Sequence, residues 1–253
     1  MTHSRRSAPR QAKHQQSNQQ SLDAPRSMSR LTNEVLRAFA NDGVLATHIQ
    51  GFSARQSQVE MAQIISEAIA SKGNALIEAG TGVGKTFAYL IPAMLSGKQV
   101  IVSTGSKNLQ EQLFLKDLPA LTSMLGIAPK LALLKGRNNY LCQYRLDRQM
   151  QEASHIEARL LDDLLKINQW AGMSKDGDIG GLTSVPEHSP ALPLVVSTKE
   201  TCLGQRCEFY DACFTRKARS RAMDAKIIVV NHHLFFADSV LKDTGFAELL
   251  PDP

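Results

Sequence analysis

The run that most constrains this chain is Ala79-Gly80-Thr81-Gly82-Val83-Gly84-Lys85-Thr86. It follows the phosphate-loop pattern G-x-x-x-x-G-K-[ST] except at its first place, where Ala79 stands. Such a loop works only between a strand and a helix. Residues 74–79 (NALIEA) read as a short buried strand, and residues 85–96 as a helix closed by Gly97. Small residues let the backbone curl so that several N–H groups point at phosphate oxygens. The positive end of the following helix adds to that field. Lys85 is placed to reach the β- and γ-phosphates of a bound nucleotide, and Thr86 to ligate Mg²⁺. The strand–loop–helix context argues against a glycine-rich helix start with no ligand.

The rest of the chain supports an α/β reading. Helical spacing runs through Leu31, Val35, Leu36 and Phe39, ending at Asn41-Asp42-Gly43. A second helix is expected from a Ser57 cap to Lys72, with Gly73 as its stop. Strands are expected at 99–103, 130–134 and 226–230, with a helix over 107–116. Strands alternating with helices indicate a parallel sheet. The alternation stops after Gly136: residues 143–172 are charged and helix-like, and residues 174–200 are loop-like. The organisation expected is a basic disordered tail at 1–30, an α/β unit at 31–135, an insertion at 136–225, and a return to the α/β unit at 226–253.

Net charge is +5, but its location matters. Six of the 29 basic residues and one of the 24 acidic residues lie in residues 1–30, which leaves 23 of each elsewhere. Residues 1–30 hold almost no large apolar side chain to offset ordering entropy. Met28 is an alternative start. Any nucleic-acid reading must therefore rest on local features. No apolar run long enough to span a membrane exists, nor a secretory h-region, so a cytoplasmic location is expected. Four cysteines are too few for a disulfide scaffold, and reduced thiols are expected.

Upstream of the loop lies Phe52-Ser53-Ala54-Arg55-Gln56-Ser57-Gln58. A glutamine amide pairs two-pronged with adenine N6 and N7, and Phe52 is placed to stack on the base. Downstream, Ser103-Thr104-Gly105-Ser106-Lys107 follows a strand and opens a helix, an arrangement that suits a phosphate. A plain capped helix fits the same residues. The four cysteines are Cys142, Cys202, Cys207 and Cys213, with 59, 4 and 5 residues between them. Four thiolates suit tetrahedral zinc or a cubane iron–sulfur cluster, and spacing alone leaves both open, beside chemically inert thiols. Arg216, Lys217, Arg219 and Arg221 follow Cys213, while Lys135, Arg137, Arg145 and Arg148 flank Cys142. They are placed to neutralise phosphates, with Tyr140, Phe209, Tyr210 and Phe214 available to stack bases. A solvated basic helix with core aromatics fits equally. His232 and His233 diverge as adjacent side chains and read as the start of a helix.

These runs resemble known motifs. Residues 52–58 and 79–86 resemble the Q-motif and motif I of superfamily 2 helicases, and residues 103–113 resemble their motif Ia. The run Lys135-Gly136-Arg137-Asn138-Asn139-Tyr140-Leu141-Cys142, the late cysteine trio and Asn231-His232-His233-Leu234-Phe235 together resemble the XPD-like iron–sulfur helicases of the bacterial DinG/YoaA branch. The resemblance covers nearly all of residues 50–250. It implies a RecA-like P-loop fold interrupted by a mostly helical iron–sulfur insertion. It further implies ATP with Mg²⁺ held by Phe52, Arg55, Gln58 and residues 79–86, and a [4Fe–4S] cluster on the four cysteines. Single-stranded or forked DNA is the implied substrate, meeting Ser103, Thr104, Lys107, Arg137, Tyr140, Arg216, Lys217, Arg219 and Arg221. The implied activity is ATP-driven 5′→3′ unwinding in DNA repair or replication. Protein partners stay unassigned.

One part of the pattern departs. A helicase motor needs an acidic pair on a neighbouring strand, a D-E-A-H box in the family, and no such run occurs. Asp162-Asp163 lies in a helical stretch of the insertion and is a poor substitute. The expectation is a helicase fragment that binds nucleotide weakly and hydrolyses almost none. The alternative is a non-catalytic DNA-binding module that holds nucleotide and metal as structural ligands.

Overall fold

The protein is described from a computed structural model, which covers residues 28–152, 157–243 and 250–251. The expected tail, apart from residues 28–30, lies outside the described residues. The chain opens with α1 (Arg30–Phe39), capped by the Ser29 hydroxyl, and the short α2 (Val44–His48). Then come α3 (Gln56–Ser71) and α4 (Lys85–Leu95). β1 (Val100–Thr104) leads into α5 (Lys107–Gln112), a π-helical turn (Leu113–Asp117) and α6 (Leu118–Leu125). β2 (Leu131–Leu133) is followed by a long excursion carrying α7 (Gln143–Gln151), α8 (Ala158–Met173), α9 (Leu192–Val195) and α10 (Phe214–Asp224). The chain returns through β3 (Ile227–Asn231) to α11 (His232–Asp243).

The three strands form one parallel sheet in the order β1-β3-β2. The late strand is thus the central one. Its sequence explains this: Ile227, Ile228, Val229 and Val230 are β-branched in succession and all buried. Alternate residues serve opposite faces. Ile227 and Val229 join a core with α1, α2, α3, α4 and α6, whereas Ile228 and Val230 join a second core with Leu141, Leu146, Leu164, Ile167, Phe214 and Ala218. The β2–β3 segment therefore shares a continuous core with the sheet.

Two local expectations are corrected. Ser57 lies inside α3, whose cap is Arg55, and the helix ends at Lys72 in the left-handed region (φ 56°) one residue before Gly73. Residues 74–79 form no ladder, and Leu76 is fully exposed. The reason is the ladder requirement: an apolar extended run is held only where a neighbouring strand takes up its N–H and C=O groups. β1 pairs with β3 on one side, and an apolar groove of about 490 Å³ runs along its other side, lined by residues such as Ile65, Ile69 and Leu109.

Candidate nucleotide site and cysteine cavity

The phosphate loop sits between residues 74–79 and the N-terminus of α4, with Gly82 (φ 77°) and Gly84 (φ 84°) in the left-handed region. A Cβ on Gly84 would stand 2.2 Å from the Gln58 amide nitrogen. That contact arises because Gln58, 5% exposed, donates from Nε2 to the Gly84 carbonyl at 3.0 Å. Arg55 donates to the Gly82 carbonyl. Both residues of the upstream block therefore grip the loop, and Gln58 spends an amide proton there that base pairing would otherwise use. Lys85 folds back on its own loop, donating to the carbonyls of Gly80 (2.6 Å) and Ala79 (3.0 Å). The Thr86 hydroxyl bonds the Tyr89 phenol, whose pKa is raised chiefly by burial. Phe52 is half-buried against the α1–α6 core.

At the β1–α5 loop, Ser103 Oγ pairs with His232 Nδ1 at 2.7 Å. Ser106 caps α5 through Leu109 N–H. Thr104 is 5% exposed and its hydroxyl donates to the Ser106 carbonyl, so that side chain closes a turn rather than facing a ligand. Lys107 is exposed. The Ser103–His232 contact spans 129 residues of sequence and had no local signal. His232 does open α11, as its sequence context indicated.

The four cysteines come to one cavity of about 500 Å³. Backbone pairing brings the first to the others: Leu141 N–H bonds the Gly177 carbonyl and Cys142 N–H bonds the Val195 carbonyl, each at 2.8 Å. The later three follow in tight turns, with Cys207 N–H to Gly204, Tyr210 N–H to Cys207 and Cys213 N–H to Tyr210. None is in a disulfide. Burial pushes the Cys142 thiol up, offset in part by hydrogen bonds from Arg145 N–H and Ser197. Arg137 Nη1 lies 2.8 Å from Cys202 Sγ. Arg219 is held below its ordinary value first by burial and then by Arg137. Among the described residues no three Cys, His, Asp or Glu side chains converge closely enough for a single metal ion. Four free thiols around a wider space nevertheless have the donor chemistry and room for a thiolate-held polynuclear group.

The basic and aromatic residues divide. Lys217 and Arg221 are exposed. Arg216 turns back on its own segment, bonding the Tyr210 carbonyl and stacking over the Tyr210 ring at 4.8 Å. Tyr140 is corrected as a base-stacking residue: it is 3% exposed and its hydroxyl accepts from Lys135 N–H. Phe214 is buried in the core. Lys135 is no phosphate ligand either, because its side chain is 6% exposed and its ammonium is held between Glu111 and Asp178. Asp163 is buried and accepts from Ser189, a structural role.

The profile of the DEAD/DEAH box helicases matches residues 58–170. The chain is 47% identical over 220 residues to the ATP-dependent DNA helicase YoaA of Haemophilus influenzae, covering 87% of this chain and 34% of the relative. It is 49% identical over 214 residues to the protein of that name from Escherichia coli, covering 85% and 34%. The chain carries a DEAD/DEAH box helicase domain of the DinG/YoaA type. The ATP-dependent helicase DinG of Mycobacterium tuberculosis is 34% identical over 226 residues, covering 81% of this chain and 34% of the relative. The chain thus spans about a third of the length of these DinG/YoaA relatives. Among the described residues no helix is long and apolar enough to cross a membrane.

Proposed function

We propose that the chain is the nucleotide-gripping part of an ATP-driven DNA helicase that carries a [4Fe–4S] group. In this reading residues 31–135 and 226–253 form one RecA-like motor unit, interrupted by the cluster-bearing residues 136–225. The observation that carries it is the meeting of Cys142 with Cys202, Cys207 and Cys213 at one cavity, inside a segment packed on the parallel sheet. Four thiols line that cavity, and among the described residues no three ligating side chains converge for a single metal ion, which favours a polynuclear group over zinc. When bound, the group would supply iron–thiolate bonds that cross-link Cys142 to the late trio.

The chain's own residues do the rest. On ATP binding Lys85 exchanges two backbone carbonyls for the β- and γ-phosphates, and Thr86 turns from Tyr89 to Mg²⁺. Arg55 and Gln58 hold the loop in shape while Phe52 faces the base. Single-stranded or forked DNA runs over Ser103 and Lys107 of the β1–α5 loop and over Arg137, Lys217, Arg219 and Arg221 beside the cavity. The direction of travel is 5′→3′, the setting DNA repair or replication, and the location the cytoplasm.

Purification without oxygen tests both halves. The expected product is brown, with about four irons per chain and binding of a fluorescent ATP analogue. Lys85→Ala removes nucleotide binding and keeps the colour, and in the full-length protein abolishes unwinding of a fork. Stoichiometric zinc in the chain, or a colourless full-length protein that unwinds normally, overturns the cluster assignment.

A further inference from the structure

Lys135 follows β2 by two residues, and its side chain is 6% exposed. Its Nζ lies 2.7 Å from Glu111 Oε1 on α5 and 2.6 Å from Asp178 Oδ2 in the β2–β3 segment. Two carboxylates from elements far apart in sequence thus share one buried ammonium. Around it the backbone is fastened in the same directions. Gln110, fully buried beside Glu111, donates to the Leu134 carbonyl at 3.0 Å and the Val229 carbonyl at 3.4 Å. Tyr140 bridges to Asp178, and Tyr140 Oη takes the Lys135 N–H at 3.1 Å. Asp178 also turns its own loop, accepting from Gly180 N–H at 3.0 Å. On one side of Lys135 lies α5, which begins at the β1–α5 loop. On the other lies the backbone that carries Cys142 two residues beyond Tyr140.

A buried cation between two carboxylates is a poor source of net stability, because desolvation consumes much of the attraction. Its strength is directional: the ammonium must be met at both sides at once, which fixes one relative position of the two walls. We propose that Lys135 is a positioning residue that sets the β1–α5 loop in register with the cysteine-bearing wall, so that one DNA strand engages both. The idea rests on the DNA reading above. Two patches held at the right separation bind a spanning strand with an effective concentration that is lost when the geometry shifts, while each patch alone is unchanged.

The test compares two labelled oligothymidylates on the purified chain, one of about five nucleotides and one of roughly 20. The variants are Lys135→Met, Glu111→Gln and Asp178→Asn, with circular dichroism to check folding. The expected result is an affinity loss of about tenfold or more for the long strand, with the short strand unchanged. The Lys135→Met/Asp178→Asn double variant should lose no more than the single ones, since both break one device. Glu111 sits on the more exposed side and provides the milder variant if Lys135→Met fails to fold. Equal losses for both lengths mean a merely structural role and overturn the proposal, as does no loss for either. If the unaltered chain binds neither strand, the DNA reading itself fails; if it binds both and the variants bind the long strand as tightly as it does, the positioning role alone fails.

Discussion

The loop residues show how a glycine position is set by its neighbours rather than by the motif alone. Gly84 combines a left-handed φ with a Gln58 amide where a side chain would begin. Gly84→Ala should lower stability by about 1–3 kcal/mol and weaken nucleotide binding. Adding Gln58→Ala removes the contact but not the dihedral, so thermal melts should recover only part of the loss. The same scale carries a pH prediction. Burial pushes the Lys135 ammonium down, but Asp178 and Glu111 more than offset this, so its pKa is raised. A raised amine pKa gives stability that is complete below the ordinary lysine value and lost as pH climbs through the folded one. Burial raises the Tyr140 phenol as well, and this acts in the same direction. Melting temperature should therefore hold from neutral pH to about 9 and fall above about 10, and Lys135→Met should remove part of that fall. The phosphate loop was legible from its residues because its chemistry is local. Thr104, Tyr140 and Lys135 were not, because type and position left them on a surface that long-range partners turned into core.

At the level of elements, the sheet makes its strands unequal. Ile228 is fully buried at the centre of β3, whereas Val102 lies on β1 beside the open groove. Ile228→Ala should cost about 2–5 kcal/mol and Val102→Ala roughly 1 kcal/mol in denaturant unfolding. β1, β2 and β3 were all readable as apolar runs between turns, and their parallel pairing followed from the intervening helices. Residues 74–79 carry the same signal and form no strand, because hydrophobic pattern states what a segment is suited to and not whether a partner lies alongside. Strand order escaped the sequence for the same reason: β3 arrives last in the chain yet sits between β1 and β2.

For the whole molecule, the three strands end at Thr104, Leu133 and Asn231, none of them acidic. A carboxylate pair beside the γ-phosphate is what positions metal and water. The 253 residues alone should therefore bind nucleotide yet show little DNA-stimulated phosphate release, and a robust rate in a phosphate assay would contradict this. The cysteine segment looked like a separable unit in the sequence, since its composition breaks the α/β rhythm. In three dimensions Leu141, Leu164 and Phe214 share one core with Ile228 and Val230, on one face of the strand that centres the sheet. Oxidative damage at the thiols is then not confined to a segment that the rest of the chain might shed. Peroxide that loosens the segment strips cover from the sheet, so a redox injury would register as a protein that melts sooner and, on the nucleotide reading proposed above, holds ATP less well.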